Sequence, residues 1–260
     1  MPPSSLPLII YHANCLDGYG SAFAAQHYFG EQGCELLAAS HGEEVPECSG
    51  RDIYLVDFSF SRDILTQICQ QATRVTIIDH HVSALKELEG LDQQQHNLDL
   101  GFDMNHSGAV LTWRWFFPEL PVPELLLDVE DRDLWNWQRD GSEIRTAAMM
   151  SYPYSYSQWR HWVTAEGASQ RLHHEGEAIS RFRDQMIERY KKRAVLGDVA
   201  GYQIPIVNCP AEIASELVGA LSEGYPFAAG YMDKGSKRGW SLRSHGEQGE
   251  DVSVIAARFG

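Results

Sequence analysis

Residues 75–85 read VTIIDHHVSAL, and the fold turns on them. Val75, Thr76, Ile77 and Ile78 form the kind of β-branched run that fills a strand buried on both faces. That strand runs straight into Asp79, His80 and His81. A strand that only had to stop would end on Gly, Asn or Pro. One Asp or His at a strand end commonly caps or turns the chain. Three metal-competent side chains in succession ask for a ligand, and in open α/β sheets ligands gather beyond the carboxyl ends of the strands.

Working outward, the first half alternates strand and helix patterns. LPLIIYHA (6–13) reads as a buried strand, and DGYGSAFAAQHYF (17–29) as a helix opened by two glycines. CELLAAS and DIYLVDFS are further strands; SRDILTQICQQA is a helix with Ser61 as its N-cap, and RVTIIDHH the next strand. NLDLGFD is a fifth, weaker strand, followed by helical HSGAVLTWRWFF and PELLLDVEDRDLW. This spacing implies βαβ units and a mainly parallel sheet flanked by helices. A long polar helix then suits an exposed connector over 166–197. Short strands, a helix and a hairpin from PFAAGYMDKG to GWSLRSHG mark a smaller α/β domain at 198–260. The expected organisation is a catalytic domain at 1–165, the connector, and that second domain.

The composition suits a soluble protein. Of 260 residues, 43% are hydrophobic and 22% charged, and no apolar run nears the roughly 20 residues of a membrane span. The start lacks a basic region ahead of its apolar residues, which speaks against a signal peptide. Five cysteines without CxxC spacing fit a reducing, cytoplasmic setting without a disulfide framework. The net charge of −15 is lopsided: residues 1–130 hold 5 Lys/Arg against 19 Asp/Glu, and residues 131–260 hold 16 against 17. The acidic half suits cations. The whole disfavours a long nucleic-acid duplex as partner.

At the carboxyl ends of the first-half strands stand His12, Cys15 and Asp17, then Asp57, then Asp79, His80 and His81. A parallel sheet brings these ends to one edge. Carboxylates and imidazoles together suit Mn²⁺, Mg²⁺ or Co²⁺, and several buried carboxylates repel one another unless a cation compensates them.

YHANCLDGYGSA (11–22), YLVDFS (54–59), IIDHH (77–81) and EDRDLW (130–135), in this order and spacing, resemble the four motifs of the DHH phosphoesterase superfamily. GWSLRS and DVSVIAARFG (251–260) resemble the substrate-binding domain associated with it, up to the point where a glycine-rich segment would follow. The resemblance implies two metal ions per chain, Mn²⁺ or Mg²⁺/Co²⁺. His12 would bind the first, Asp17 and His80 the second, and Asp57 both. Asp131 would complete the second site, with Asp133 as the alternative. Asp79 would orient a ring, and His81 would sit by the leaving phosphate. His106, Ser107 and Gly108 resemble the next motif, where a hydroxyl and helix-terminal amides hold phosphate oxygens. Arg243 and Ser244 would grip a remaining phosphate.

The superfamily usually has Asp at the position of Cys15. Here Cys15 is either a thiolate ligand or a buried small residue. The implied reaction is hydrolysis, by metal-activated water, of a phosphodiester in a short oligonucleotide or small nucleotide. The alternatives are an exopolyphosphatase or pyrophosphatase acting on anhydrides, and a catalytically impaired phosphate- or nucleotide-binding protein of the same fold. Partners are then small phosphorylated substrates and no membrane; a homodimer is allowed, though no patch diagnoses one.

Overall fold

The computed structural model describes residues 6–259, apart from 41, 43, 236, 247 and 248. It divides into two compact units, Met1–Glu177 and Ala178–Gly260.

The first unit is built on β1 (Leu8–His12), α1 (Leu16–Phe29), β2 (Glu35–Ala39), β3 (Asp52–Val56), α2 (Arg62–Gln71), β4 (Arg74–Asp79), α3 (Val82–Leu88) and β5 (Leu98–Phe102). All pairings are parallel, in the order β2-β1-β3-β4-β5. Successive side chains alternate between faces. Thus Ile10, Leu55 and Ile77 enter a cluster with Phe58, Leu65 and Ile68. Their neighbours Ile9, Val56 and Ile78 enter a second cluster with Ala25. Burial on both faces explains the unbroken apolar runs. The chain passes from β1 to β2 on one side and then back to β3 on the other. The order therefore reverses between β1 and β3, the place where such sheets open a crevice at their carboxyl edge.

Five helices follow: α4 (Gly108–Phe116), α5 (Glu124–Asp133), α6 (Ser142–Met150), α7 (Tyr156–Thr164) and α8 (Ala168–Lys191). The second unit adds β6 (Val195–Val199), β7 (Tyr202–Asn208), α9 (Ala214–Leu221), β8 (Ala228–Lys234), β9 (Lys237–Arg243) and α10 (Val252–Ala256). Its sheet runs β6-β7-β8-β9, with the expected antiparallel hairpin between β8 and β9.

The division between the units falls within α8, the helix read as an exposed connector: Leu172 is buried, and Ile187 lies in a core with Val207, Leu217 and Val218. Ser61 does stand at the N-cap of α2, but its hydroxyl makes no cap bond. The Arg62 amide donates to Glu87 instead, at 3.1 Å.

Candidate metal centre

Asp57 follows β3 directly, and its amide still donates to Ile78 O, at 2.9 Å. Its φ of +52° is left-handed, a conformation that costs a non-glycine residue about 1–3 kcal/mol and is typically kept where function requires it. The surroundings hold it there. A Cβ at Gly108 would stand 2.5 Å from Asp57 Cβ and 2.9 Å from an Asp17 oxygen, so only glycine fits against both carboxylates. Gly18 is fixed likewise, since a Cβ there would lie 2.3 Å from His12 O.

Around Asp57 the sheet edge gathers the other groups. His80 Nε2 lies 3.2 Å from Asp57 Oδ1, 3.4 Å from Asp133 Oδ2 and 3.7 Å from Asp17 Oδ2. His12 Nδ1 is 3.8 Å from Asp57 Oδ2. Three donor sets each have one ligand atom per residue within 4.8 Å of the others: His12–Cys15–Asp57, Asp17–His80–Asp133, and Asp57–Asp79–His80–His81.

The electrostatics of this cluster are unresolved by the protein alone. Burial first, then Asp17 and Asp133, push the Asp57 carboxyl well above its ordinary range. Burial and then Asp17 push Asp133 up to about 7. Burial, then Asp57 and Asp17, push the Cys15 thiol up, against an opposing pull from the Gly18 amide. Asp57 Oδ2 and Asp79 Oδ2 are buried and, among the described residues, accept no hydrogen bond. A buried anionic oxygen without a donor, beside further carboxylates, fits a divalent cation. Imidazole and carboxylate together are the donors that Mn²⁺, Co²⁺ or Zn²⁺ take.

Asp79 binds the chain that follows it. Its Oδ1 accepts from the His80 amide at 2.8 Å and lies 2.7 Å from His81 Nδ1. That contact, ahead of all other causes, raises the His81 pKa. The His81 side chain is 47% exposed, so an oriented imidazole borders open space. It lines a cavity of about 180 Å³ with His12, Asp57, Ser59, Ser83 and Glu87.

Some expected residues are placed differently. Asp131 is not in the cluster: its carboxylate accepts from the amides of Gln138 (2.8 Å) and Arg139 (3.1 Å) and from Ser142 Oγ (2.5 Å). Two residues along a helix turn the side chain by roughly 200°, so Asp133 faces the cluster in its place. The amides of Gly108 and Ala109 both donate to Asp17, at 2.7 and 3.0 Å. The Ser107 hydroxyl is buried and caps the Val110 amide. The Gly108 and Ala109 amides thus meet the Asp17 carboxylate within the protein. His106 lies 3.1 Å from Glu130, whose same oxygen takes the Ser107 amide. Ser83 and Glu87 line the cavity without having been marked by any motif, because they reach it only through tertiary packing. Arg243 and Ser244 fall in the second unit, where Arg243 donates to Leu242 O and Ser215 Oγ.

No family model matches the chain. An uncharacterized protein of Acanthamoeba polyphaga mimivirus is 25% identical over 279 residues; the match covers 97% of this chain and 64% of the relative's length. The chain thus spans just under two thirds of that relative. Among solved structures, a DHH domain from a member of the s1p family of ribosomal proteins superposes with a TM-score of 0.52 at 10% identity. It covers 88% of this chain and 72% of that one. The fold is that of a DHH domain. RecJ from Thermus thermophilus, solved in complex with Mn²⁺, aligns at 12% identity and a TM-score of 0.49, over 98% of this chain and 47% of its own. The DHH fold accounts for the five-stranded parallel sheet, with a second, smaller sheet beside it in sequence.

Proposed function

We propose that this DHH-fold chain is a divalent-metal-dependent phosphohydrolase acting on a phosphodiester of a short oligonucleotide or small nucleotide. The observation that carries this is the sharing of buried Asp57. It stands in one donor set with His12 and Cys15 and lies beside a second made by Asp17, His80 and Asp133. Two divalent ions held there would offset phosphoryl charge, favour deprotonation of the attacking water and stabilise the leaving oxygen. His81 is held by Asp79 in an orientation that suits proton donation to that oxygen, and the carboxylate favours its protonated form.

The cavity beside the cluster favours the diester over an anhydride. Ser59, Ser61 and Ser83 present hydroxyls and Glu87 a carboxylate, and among the described residues no Lys or Arg lines it. Hydroxyls and a carboxylate suit the hydroxyls of a sugar and disfavour a further phosphate.

The test is Mn²⁺- and Mg²⁺-dependent hydrolysis of bis-p-nitrophenyl phosphate, a short oligoribonucleotide and polyphosphate in parallel, with Asp57→Ala as control. Cleavage of the diesters, lost in the variant, is expected. Cleavage of polyphosphate alone would replace this reading with the exopolyphosphatase one. Silence on all three, with no ion bound, would leave a binding protein.

A further inference from the structure

The five cysteines fall into two kinds. Cys34, Cys48, Cys69 and Cys209 are buried members of hydrophobic clusters, where a thiol serves as a small apolar group. Cys15 is half-buried at the N-cap of α1, beside the carboxylates of Asp57 and Asp17. Capping does not explain it, since Ser, Thr, Asp and Asn are preferred there and a thiol is a weak acceptor. Apolar filling does not explain it either, since the carboxylates of Asp57, Asp17 and Asp133 all act on its thiol. Its Sγ, a nitrogen of His12 and an oxygen of Asp57 all lie within 4.8 Å of one another. A second observation points to a ligand independently: Asp57 is 2% exposed, and its Oδ2 has no hydrogen-bond donor among the described residues.

We propose that His12, Cys15 and Asp57 form a nitrogen–sulfur–oxygen site that takes a borderline-soft divalent ion, Zn²⁺, Co²⁺ or Fe²⁺, in preference to Mg²⁺. The inference rests on the metal-centre reading and sharpens it. A thiolate turns the site from hard oxygen preference toward softer ions. Cys15 enters as the thiolate: its Sγ–H proton leaves to solvent as the sulfur–ion bond forms, and nothing is oxidised or reduced. The Asp17–His80–Asp133 set lacks sulfur, so the two sets differ in the ions they favour.

The experiment reads binding, not hydrolysis. The full chain, stripped of metal by a chelator and kept reduced, is titrated with Co²⁺ and followed by absorption. A sulfur-to-cobalt charge-transfer band in the near ultraviolet is expected. It should be lost in Cys15→Ser, while the visible cobalt bands persist. Ser is a preferred N-cap residue, and circular dichroism checks that the variant is folded. Cys15→Asp should reverse the preference in competition, with Mn²⁺ gaining on Zn²⁺. Visible cobalt bands with no charge-transfer band in the parent chain overturn the thiolate site and leave the metal-centre reading standing. So does a charge-transfer band that survives Cys15→Ser. No cobalt binding at all overturns both.

Discussion

Asp128 and Asp131 on α5 are as buried as Asp57 at the sheet edge, yet the protein treats the two regions in opposite ways. Asp128 accepts from Arg139 Nε at 2.8 Å and from Arg145 Nε at 2.6 Å. Asp131 takes two amides and a hydroxyl. Both carboxylates are answered from within the chain. Asp57 faces Asp17 and Asp133, and among the described residues one of its oxygens has no donor. A buried carboxylate that is fully bonded holds structure together; one left repelled and unbonded has the electrostatics that a cation would relieve. Net charge alone does not separate the two.

The widest gap between these regions should show on exchanging Asp57. Asp57→Asn is expected to lower hydrolysis on the order of 10³-fold or more, the scale of removing a preorganised electrostatic group. The metal-free variant should nevertheless unfold no more easily than the parent at neutral pH, because a repelled charge has gone. A metal-free variant clearly less stable than the parent would break the comparison. The converse holds on α5. Asp128→Ala strands Arg145, whose side chain is 13% exposed, and should cost about 3–5 kcal/mol in urea unfolding whether or not metal is added.

Gly108→Ala probes the contact that shapes the sheet-edge site. The added methyl meets Asp57 Cβ at 2.5 Å, and overpacking of that kind costs roughly 1–3 kcal/mol. Hydrolysis and ion affinity should fall with it, since Asp57 and Asp17 must shift. A variant with parent stability and full ion affinity would show that the close approach is unimportant.

The smallest effect is on pH dependence. The carboxyls of Asp57 and Asp133 are raised above the ordinary 3.8, Asp133 to about 7, so the folded state binds their protons more tightly than the unfolded chain. Their contribution to stability is therefore full below the ordinary value and is lost as pH rises through about 7. His81, also raised, acts with the same sign. Melting of the metal-free chain should reveal this decline between about pH 4 and 7, flattened by Mn²⁺ and reduced in Asp133→Asn. An equal slope in parent and variant would remove Asp133 from the cluster.

Much of this was legible in the chain itself. Unbroken β-branched runs give strands buried on both faces, and short helical spacers between them leave a parallel sheet as the economical arrangement. A polar residue ending such a strand must then lie at the carboxyl edge, which is why His12, Asp57, Asp79 and His80 could be named from local pattern. Asp131 and Asp133 could not be separated, since each is an acid near the end of one helix. Only the packing of α5 on α6 decides which of them turns toward the sheet. The Gly108 and Ala109 amides were equally undetermined, because their partner Asp17 lies about ninety residues earlier and nothing local marks it. The sequence by itself determined the elements, their parallel order and the kinds of donor at the edge, since these follow from periodicity and side-chain chemistry. The tertiary structure alone decided which carboxylates are bonded by the protein and which are left facing one another, because hydrogen-bond partners distant in sequence meet only when the chain is packed.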